Sequence, residues 1–87
     1  KDAAYVESII GRYDMDGMVA EMVFKNDKLF AVIPNQPEYE LVPVKENWFN
    51  LKGLNGFSVE FVFEKGKSKA VQVKFHQPNG VFPAKRV

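Results

Sequence analysis

The sequence predicts an all-β fold, in which about eight short antiparallel strands form an up-and-down meander that closes into a small barrel or a strongly curved sheet, after one short N-terminal helix. Three observations predict this fold. Apolar residues recur at every second position, which is the period of a strand with one buried face. Turn-forming residues return after about eight to twelve positions. Closure or strong curvature is favoured because a flat open sheet leaves long unpaired edges.

Residues 1–10 are predicted to form the helix. Asp2 can cap its N-terminus, and Gly11 is suited to follow its end. The apolar stripe of this segment consists of Tyr5, Val6, Ile9 and Ile10. Because an isolated helix of this length is only marginally stable in water, we expect it to dock on the sheet. Residues 11–87 are predicted to hold the strands, so that one β domain fills residues 1–87.

Two turn signals, Asp16-Gly17 and Asn26-Asp27, connect the first three predicted strands, 11–15, 18–25 and 28–33. The predicted core face of the second strand consists of Met18, Ala20, Met22 and Phe24. The third strand is apolar on both faces, so its facing stays open.

The clearest strand pattern is the hairpin between residues 57 and 81. The residues predicted to face inward are Phe57, Val59, Phe61, Phe63, Val71, Val73 and Phe75. By the same alternation His76 faces outward and Gln77 inward, where we expect the Gln77 amide to fasten the adjoining turn. Pro43 and Pro83 lack the N–H that a ladder needs, so we expect edge strands at both, or a bend at Pro43.

Composition excludes several classes of function. Twelve Lys and Arg stand against eleven Asp and Glu, a formal charge of +1, so we expect no binding of nucleic acid. No apolar run approaches the roughly 20 residues that a membrane span needs, and the first residues do not resemble a signal peptide. Because the chain starts at Lys1, we expect it to be a fragment of a longer protein.

No catalytic, cofactor-binding or metal-binding site is predicted. The chain has no cysteine and one histidine, His76, which alone cannot make a zinc site. Ser8 lies in the predicted helix and Ser68 in a charged turn, so neither resembles the strained elbow of a nucleophile. The glycines stand singly in turns, and no phosphate-binding loop is present. We therefore expect neither enzymatic activity nor a cofactor.

Four aromatic residues have two interpretations. They are Phe30, Tyr39, Trp48 and Phe82. They could line a ligand pocket if the barrel interior is incompletely filled. Barrels of about eight strands are often just wide enough for side chains to fill them, which makes core residues the favoured interpretation.

Seven short motifs, in order along residues 11–87, resemble one known module. They are Gly11-x-Tyr13, Leu29-Phe30, Gln36-Pro37 with Tyr39-x-Leu41-x-Pro43, Phe49-x-Leu51, Val59-x-Phe61, His76-Gln77-x-x-Gly80 and Pro83-Ala84-Lys85-Arg86. The chain resembles the C-terminal domain of unknown function that is attached to serine β-lactamase-like and penicillin-binding-protein-like bacterial hydrolases. The nucleophile motifs of those hydrolases, Ser-x-x-Lys and Tyr-x-Asn, do not occur in the 87 residues.

The resemblance implies a lipocalin-like β fold and a non-catalytic accessory role in domain packing or in substrate or partner presentation. It implies an attached or neighbouring hydrolase domain as the partner, and a periplasmic or secreted location. His76, Lys85 and Arg86, which lie in its motifs, are the candidate interface residues, and edge strands are a possible route to self-association. The alternative is a small carrier of an apolar molecule, and a free-standing enzyme is the third class. A parent reading frame that encodes a hydrolase would favour the accessory role.

Overall fold

The computed structural model describes residues 2–87 and contains one closed barrel. Its eight antiparallel strands follow one another around the barrel in chain order, and the last pairs with the first. The elements are α1 (Ala3–Ile9), β1 (Gly11–Met15), β2 (Met18–Lys25), β3 (Lys28–Val32), β4 (Tyr39–Lys45), β5 (Trp48–Leu51), β6 (Ser58–Val62), β7 (Gln72–Gln77) and β8 (Gly80–Arg86). The predicted all-β meander with one N-terminal helix is confirmed, and of the two predicted forms it takes the closed barrel.

Helix α1 lies inside the predicted segment. The Asp2 side chain caps it by accepting a hydrogen bond from the backbone N–H of Ala4 at 3.1 Å. Ile10 already has extended backbone angles, so the helix ends before Gly11. Val6 and Ile9 are buried in the core. The helix therefore docks on the barrel, as the low stability of so short a helix requires.

Both predicted two-residue turns form. Asp16 and Gly17 have φ angles of 55° and 98°, and Asn26 and Asp27 have φ angles of 52° and 65°. Positive φ at both central residues is the requirement of the tight hairpin turn whose twist matches the flanking strands. The turns fix the register of the first three strands, which run Gly11↔Met22 in one pair and Lys25↔Lys28 in the next.

The core lies inside the barrel and consists of alternate strand residues. On β2 the predicted core face is confirmed for Ala20 and Met22, which are buried, but not for Met18 and Phe24, which are 38% and 40% exposed. Both exceptions stand at the ends of β2, beside the turns, where the barrel no longer covers them. On β3 the open question is resolved, because its inward residues are Leu29 and Ala31.

Aromatic rings fill the barrel interior. The ring centroids of Tyr13 and Phe61 are 6.0 Å apart, and those of Phe49 and Phe61 are 5.8 Å apart in an edge-on arrangement. Phe75 is also buried in this core. The buried apolar residues form one cluster: Val6, Ile9, Tyr13, Ala20, Met22, Leu29, Ala31, Ile33, Leu41, Phe49, Leu51, Val59, Phe61, Ala70, Val73, Phe75 and Ala84.

The expected edge strands are absent from the barrel of residues 11–86, since every strand has two neighbours. Pro43 lies at a bulge in the β4–β5 register, so β4 bends there. Of the two expectations for Pro43, an edge strand or a bend, the structure therefore has the bend. Pro83 of β8 is tolerated for a different reason. The backbone N–H of Arg86 donates to Val71 beside β7, and that of Val87 donates to Arg12 of β1. By alternation Pro83 turns toward β1 beyond their paired segment, where no ladder donor is needed.

A candidate interaction face on the outside of the barrel

Two rows of side chains cross the outer surface of β4 to β8. The strand register aligns Val42, Asn50, Ser58, His76 and Val81 in the first row, and Lys45, Trp48, Glu60, Lys74 and Pro83 in the second. We call these ten residues the Trp48 face. The face follows from the alternation of the strands, because the neighbours Phe49, Val59 and Phe75 point into the core.

The centre of the Trp48 face is a stack of rings. The Trp48 indole and the His76 imidazole lie 4.4 Å apart between centroids, with 23° between their planes. The indole Nε1–H donates to Ser58 Oγ at 3.1 Å, and the imidazole Nε2 lies within hydrogen-bond distance, 3.0 Å, of Glu60 Oε1. Lys45 Nζ lies 4.6 Å from the indole centroid. Each ring is therefore held in one orientation by at least two neighbours.

The stack spans three strands. Trp48 is opposite Glu60, and Ser58 is opposite His76, so the indole crosses β6 diagonally to reach β7. Diagonal neighbours in a sheet lie within reach of long aromatic side chains. Lys45 reaches the indole from β4, which flanks β5 on the side opposite β6. Its register partner on β5 is Trp48 itself.

The Trp48 face also carries exposed apolar groups. Val42 is 37% exposed and Val81 is 52% exposed, at the two ends of the row that contains His76. The side chains of His76 and Glu60 keep 26% and 32% of their surface exposed. A protein that met this face would therefore contact apolar carbon and polar groups around the Trp48 ring, and aromatic residues are enriched in the cores of protein interfaces.

The hydrogen bonds of this face do not form a nucleophile triad. Ser58 is opposite His76, but its Oγ is engaged by Trp48 Nε1, while His76 Nε2 faces Glu60. Ser58 is not among the serines considered above, although the alternation of residues 57–63 already places it on the outward face of its strand. Ser8, the serine of α1, donates to the Tyr5 carbonyl at 2.6 Å. A serine nucleophile needs a hydrogen bond to its base, and these contacts provide none.

The four aromatic residues of the predicted pocket do not surround a common cavity. Trp48 lies on the outer face, and so does Phe30, whose chain neighbours Leu29 and Ala31 point inward. Tyr39 and Phe82 are partly buried and pack against the core. Alternation along β3 and β5 separates the first pair from the second, which corrects the pocket interpretation.

Arg86, a predicted interface residue, makes hydrogen bonds within the chain. Its Nη1 donates to the Ile10 carbonyl at 3.0 Å, its Nη2 donates to the Ser8 carbonyl at 3.0 Å and to the Tyr13 hydroxyl at 2.9 Å, and its Nε donates to the Ala70 carbonyl. All three guanidinium nitrogens are therefore engaged within the chain. Four of its five N–H donors are used in this way, so we do not include Arg86 in the interface proposed below. Lys85, beside it, is exposed.

Tyr13 joins the same cluster. Its hydroxyl donates to the Ile9 carbonyl at 2.7 Å, which satisfies a carbonyl at the end of α1. Burial raises the pKa of Tyr13 to about 12, although the Arg86 guanidinium acts in the opposite direction. The cluster closes the end of the barrel on which α1 lies.

Gln77 does not fasten its hairpin as expected. It is partly exposed and pairs with Gly80 at the end of the ladder, and its side-chain amide makes no hydrogen bond within residues 2–87. His76 faces outward as predicted, and its side chain contacts Glu60 and Trp48 on the neighbouring strands. The last residue of a strand beside a tight turn is not covered by the core, which explains the difference.

Within residues 2–87 no three His, Asp or Glu side chains converge as metal ligands would. Across the same residues no helix has the length and apolar composition of a membrane span.

Comparisons of the chain with protein-family models, with curated proteins and with solved structures find no match. The resemblance to hydrolase-associated domains therefore stays a prediction, and the site is argued from the chain's own residues.

Proposed function

We propose that the chain is a non-catalytic accessory domain that binds a neighbouring protein domain through the Trp48 face. One observation carries the proposal: the aromatic residues of the interior pack against one another, whereas Trp48 and His76 are stacked on the outside. An interior that side chains fill leaves the outer surface as the place for recognition.

Preorganisation supports this use of the face. Binding a partner costs roughly 0.5 to 1.5 kcal/mol for each flexible side chain that becomes fixed at the interface. Trp48 and His76 are already fixed by Ser58 and Glu60, so this cost is reduced. Tryptophan in a packed setting is also among the residues that contribute most to binding energy at interfaces.

The neighbouring domain that we propose is a bacterial serine hydrolase of the β-lactamase-like or penicillin-binding-protein-like kind, outside the cytoplasm. This part of the proposal is supported by the resemblance of residues 11–87 to the accessory module of those hydrolases. The module would help to hold the hydrolase domain or to present its substrate or partner, and the chemistry would belong to the hydrolase.

Thiol labelling tests the proposal. The chain has no cysteine, so Val81→Cys supplies one thiol on the Trp48 face, and Glu21→Cys supplies a matched thiol on the outer surface of β2. Each variant is labelled with a maleimide, as the 87-residue chain and within the full reading frame. We expect labelling of the Val81→Cys variant to be slowed about tenfold or more in the longer protein, because an interface core excludes solvent.

The Glu21→Cys control is expected to label at similar rates in both proteins. Rates that are unchanged for both variants, or a reading frame that encodes only this module, would contradict the proposed packing.

The carrier alternative keeps one supporting observation. A surface depression of about 650 Å³ lies where β1 and β8 separate, lined in part by Met15, Phe82 and Pro83. Volumes of roughly 300 to 1,000 Å³ are usual for small-molecule sites. Titration of an apolar fluorescent probe into the chain and into a Phe82→Ala variant distinguishes the alternatives: saturable binding that the variant loses would favour the carrier.

A further inference from the structure

The guanidinium of Arg86 is a partly buried charge without a carboxylate partner. Its acceptors are all neutral groups: the carbonyls of Ser8, Ile10 and Ala70 and the hydroxyl of Tyr13. No ion pair within residues 2–87 involves Arg86. A buried charge is costly unless it is paired. The hydrogen bonds of Arg86 therefore fix the guanidinium without neutralising its charge.

The end of α1 compensates part of this charge. The C-terminus of a helix carries roughly half an elementary negative charge, and α1 has only seven residues. The carboxylate at the adjoining position of the β1–β8 ladder belongs to Asp14, which is opposite Lys85, whereas Arg86 is opposite Tyr13. About half or more of the guanidinium charge is therefore left without compensation inside the described chain, residues 2–87.

Arg86 lines a surface depression of about 600 Å³ together with residues 66–71, which belong to the connection between β6 and β7. We call it the 66–71 depression. Lys67 and Lys69 are exposed, whereas Ala70 is buried and Arg86 is partly buried. The volume lies within the range of roughly 300 to 1,000 Å³ that is usual for small-molecule sites. The uncompensated guanidinium is thus part of the wall of a depression that has room for a ligand.

The charges around the 66–71 depression are mainly positive. Its lining contains three cations, Lys67, Lys69 and Arg86. Among the carboxylates of residues 2–87, that of Glu7 forms the one ion pair with these cations, at 4.0 Å from Lys69 Nζ. Both members of this pair are more than half exposed, so the pair is weak. The Glu-Lys sequence at positions 64 and 65 adds one charge of each sign and leaves the balance unchanged.

The same loop supplies hydrogen-bond donors. The backbone N–H groups of Gly66, Ser68 and Lys69, and the Ser68 hydroxyl, make no hydrogen bond within residues 2–87. One N–H of Arg86 Nη1 is also without an acceptor there. An oxyanion accepts hydrogen bonds from such groups while it pairs with the cations. The arrangement differs from a glycine-rich phosphate loop, which the sequence lacks, because its charges come from side chains.

We propose that the 66–71 depression binds the phosphate group of a small molecule, either inorganic phosphate or a phosphomonoester. Three lining cations and one carboxylate, that of Glu7, leave an excess of two positive charges. A phosphate group at pH 7 carries about 1.5 to 2 negative charges and several acceptor oxygens. A carboxylate, with one charge and two oxygens, matches this set of donors less well. The site shares no residue with the Trp48 face, so it goes beyond the proposed function and does not depend on it.

An NMR titration of the 87-residue chain with inorganic phosphate tests the inference. Saturable shifts of the amide signals are expected at residues 66–71, with a dissociation constant of about 1 to 10 mM at low salt, because solvent-exposed ion pairs are individually weak. Sodium chloride at the same ionic strength is the control and is not expected to reproduce these shifts. Phenyl phosphate is the second probe: tighter binding than that of inorganic phosphate assigns the site to a phosphomonoester, and equal binding assigns it to the free ion.

Charge removal identifies the cations. Lys67→Ala combined with Lys69→Ala is expected to weaken phosphate binding about fivefold or more, because Arg86 is then the one cation that lines the depression. The control combines Lys28→Ala with Lys52→Ala, which removes the same charge from exposed lysines on β3 and after β5. It is expected to change binding less than about twofold, because salt screens charges that lie far from the site. Urea unfolding checks that both variants remain folded.

Four results would overturn the phosphate site. They are the absence of saturable shifts at residues 66–71 up to about 50 mM phosphate, five times the weakest expected dissociation constant, the same shifts in sodium chloride, equal losses of affinity in the two double variants, and tighter binding of a single-stranded DNA oligonucleotide than of phenyl phosphate. The last result would assign the lysines of the loop to a nucleic acid. None of them bears on the Trp48 face, which the thiol introduced by Val81→Cys tests separately.

Discussion

The guanidinium of Arg86 lies over the ring of Tyr13, with its Cζ atom 5.0 Å from the ring centroid, and its Nη2 also donates to the Tyr13 hydroxyl. Because Tyr13 is in the first strand and Arg86 is in the last, this contact closes the barrel. The same guanidinium donates to the Ser8 and Ile10 carbonyls, which fastens the end of α1. A positive charge at a helix C-terminus is favourable, and the helix carbonyls there need donors.

Replacement of Arg86 is expected to destabilise the fold. Arg86→Ala leaves partly buried carbonyls without their donor, and we expect a loss of about 2 to 4 kcal/mol in the free energy of unfolding. Arg86→Lys is expected to recover only part of this loss, because one ammonium cannot reach the acceptors that the planar guanidinium contacts. Urea unfolding measures both. The neighbouring Lys85→Ala is the control, and a loss as large as that of Arg86→Ala would contradict the assigned role.

We expect that only glycine fits at position 11, because the Arg86 guanidinium lies close to its backbone. Its φ is +129°, and a Cβ atom there would lie 2.6 Å from Arg86 Nη1. Gly11→Ala should therefore destabilise by about 1 to 3 kcal/mol, more than Gly53→Ala, where φ is also positive but no atom lies within 4 Å. In urea unfolding, the effects of Gly11→Ala and Arg86→Ala should be less than additive, since the second change removes the clash. Strict additivity would show that the close approach does not matter.

Stability is expected to fall at alkaline pH through Tyr13. Its pKa is raised from 10.0 to about 12 in the folded chain, so the folded state holds a proton that the unfolded state releases. The stabilisation is complete below about pH 10 and is lost as the pH rises toward about 12, by about 2 to 3 kcal/mol. Unfolding free energies measured from about pH 8 to about pH 12 check this expectation. Tyr13→Phe should lose this part of the pH dependence, and an unchanged slope in that variant would exclude Tyr13 as its source.

The sequence predicts a structural hydrogen bond for Gln77, whereas in the structure His76 makes the side-chain contacts and is expected to contribute more to stability. His76→Ala is expected to shift Trp48 emission to longer wavelength and to increase its quenching by acrylamide, because one covering ring is removed. The stability loss should be about 1 kcal/mol. Gln77→Ala should leave the Trp48 emission, its quenching and the stability unchanged, since the Gln77 amide has no partner among residues 2–87. A larger stability loss for Gln77→Ala would restore the sequence-based assignment.

Local rules explain what could be predicted from the sequence. Alternation places Val59, Phe61, Val73 and Phe75 inside and His76 outside, and each position is observed. These facings depend only on the period of a strand, which the sequence displays directly. The two tight turns are equally local, because their residues tolerate positive φ.

Relations between distant strands could not be predicted in this way. Trp48 meets His76 across β6, and their contact depends on the register of two successive strand pairs, which a shift of one residue would change. Arg86 donates to the Ser8 carbonyl across 78 positions, and only closure of the barrel brings them together. The sequence motifs that contain Gly11, Tyr13 and Arg86 are weak separately. Only the folded barrel shows that Gly11 and Tyr13 both lie against the Arg86 guanidinium.

The proposed binding of a neighbouring domain is tested most directly by calorimetric titration of the 87-residue chain into a hydrolase domain encoded in the same reading frame, produced without this module. Saturable binding is predicted, with a Trp48→Ala and Val81→Glu double variant weakened about tenfold or more, as expected for the loss of a central aromatic contact and the burial of a charge. Glu21→Lys, on the outer surface of β2, should bind as the unmodified chain does. Equal affinity of the chain and the double variant, or a greater loss for Glu21→Lys, would contradict the assignment of the Trp48 face.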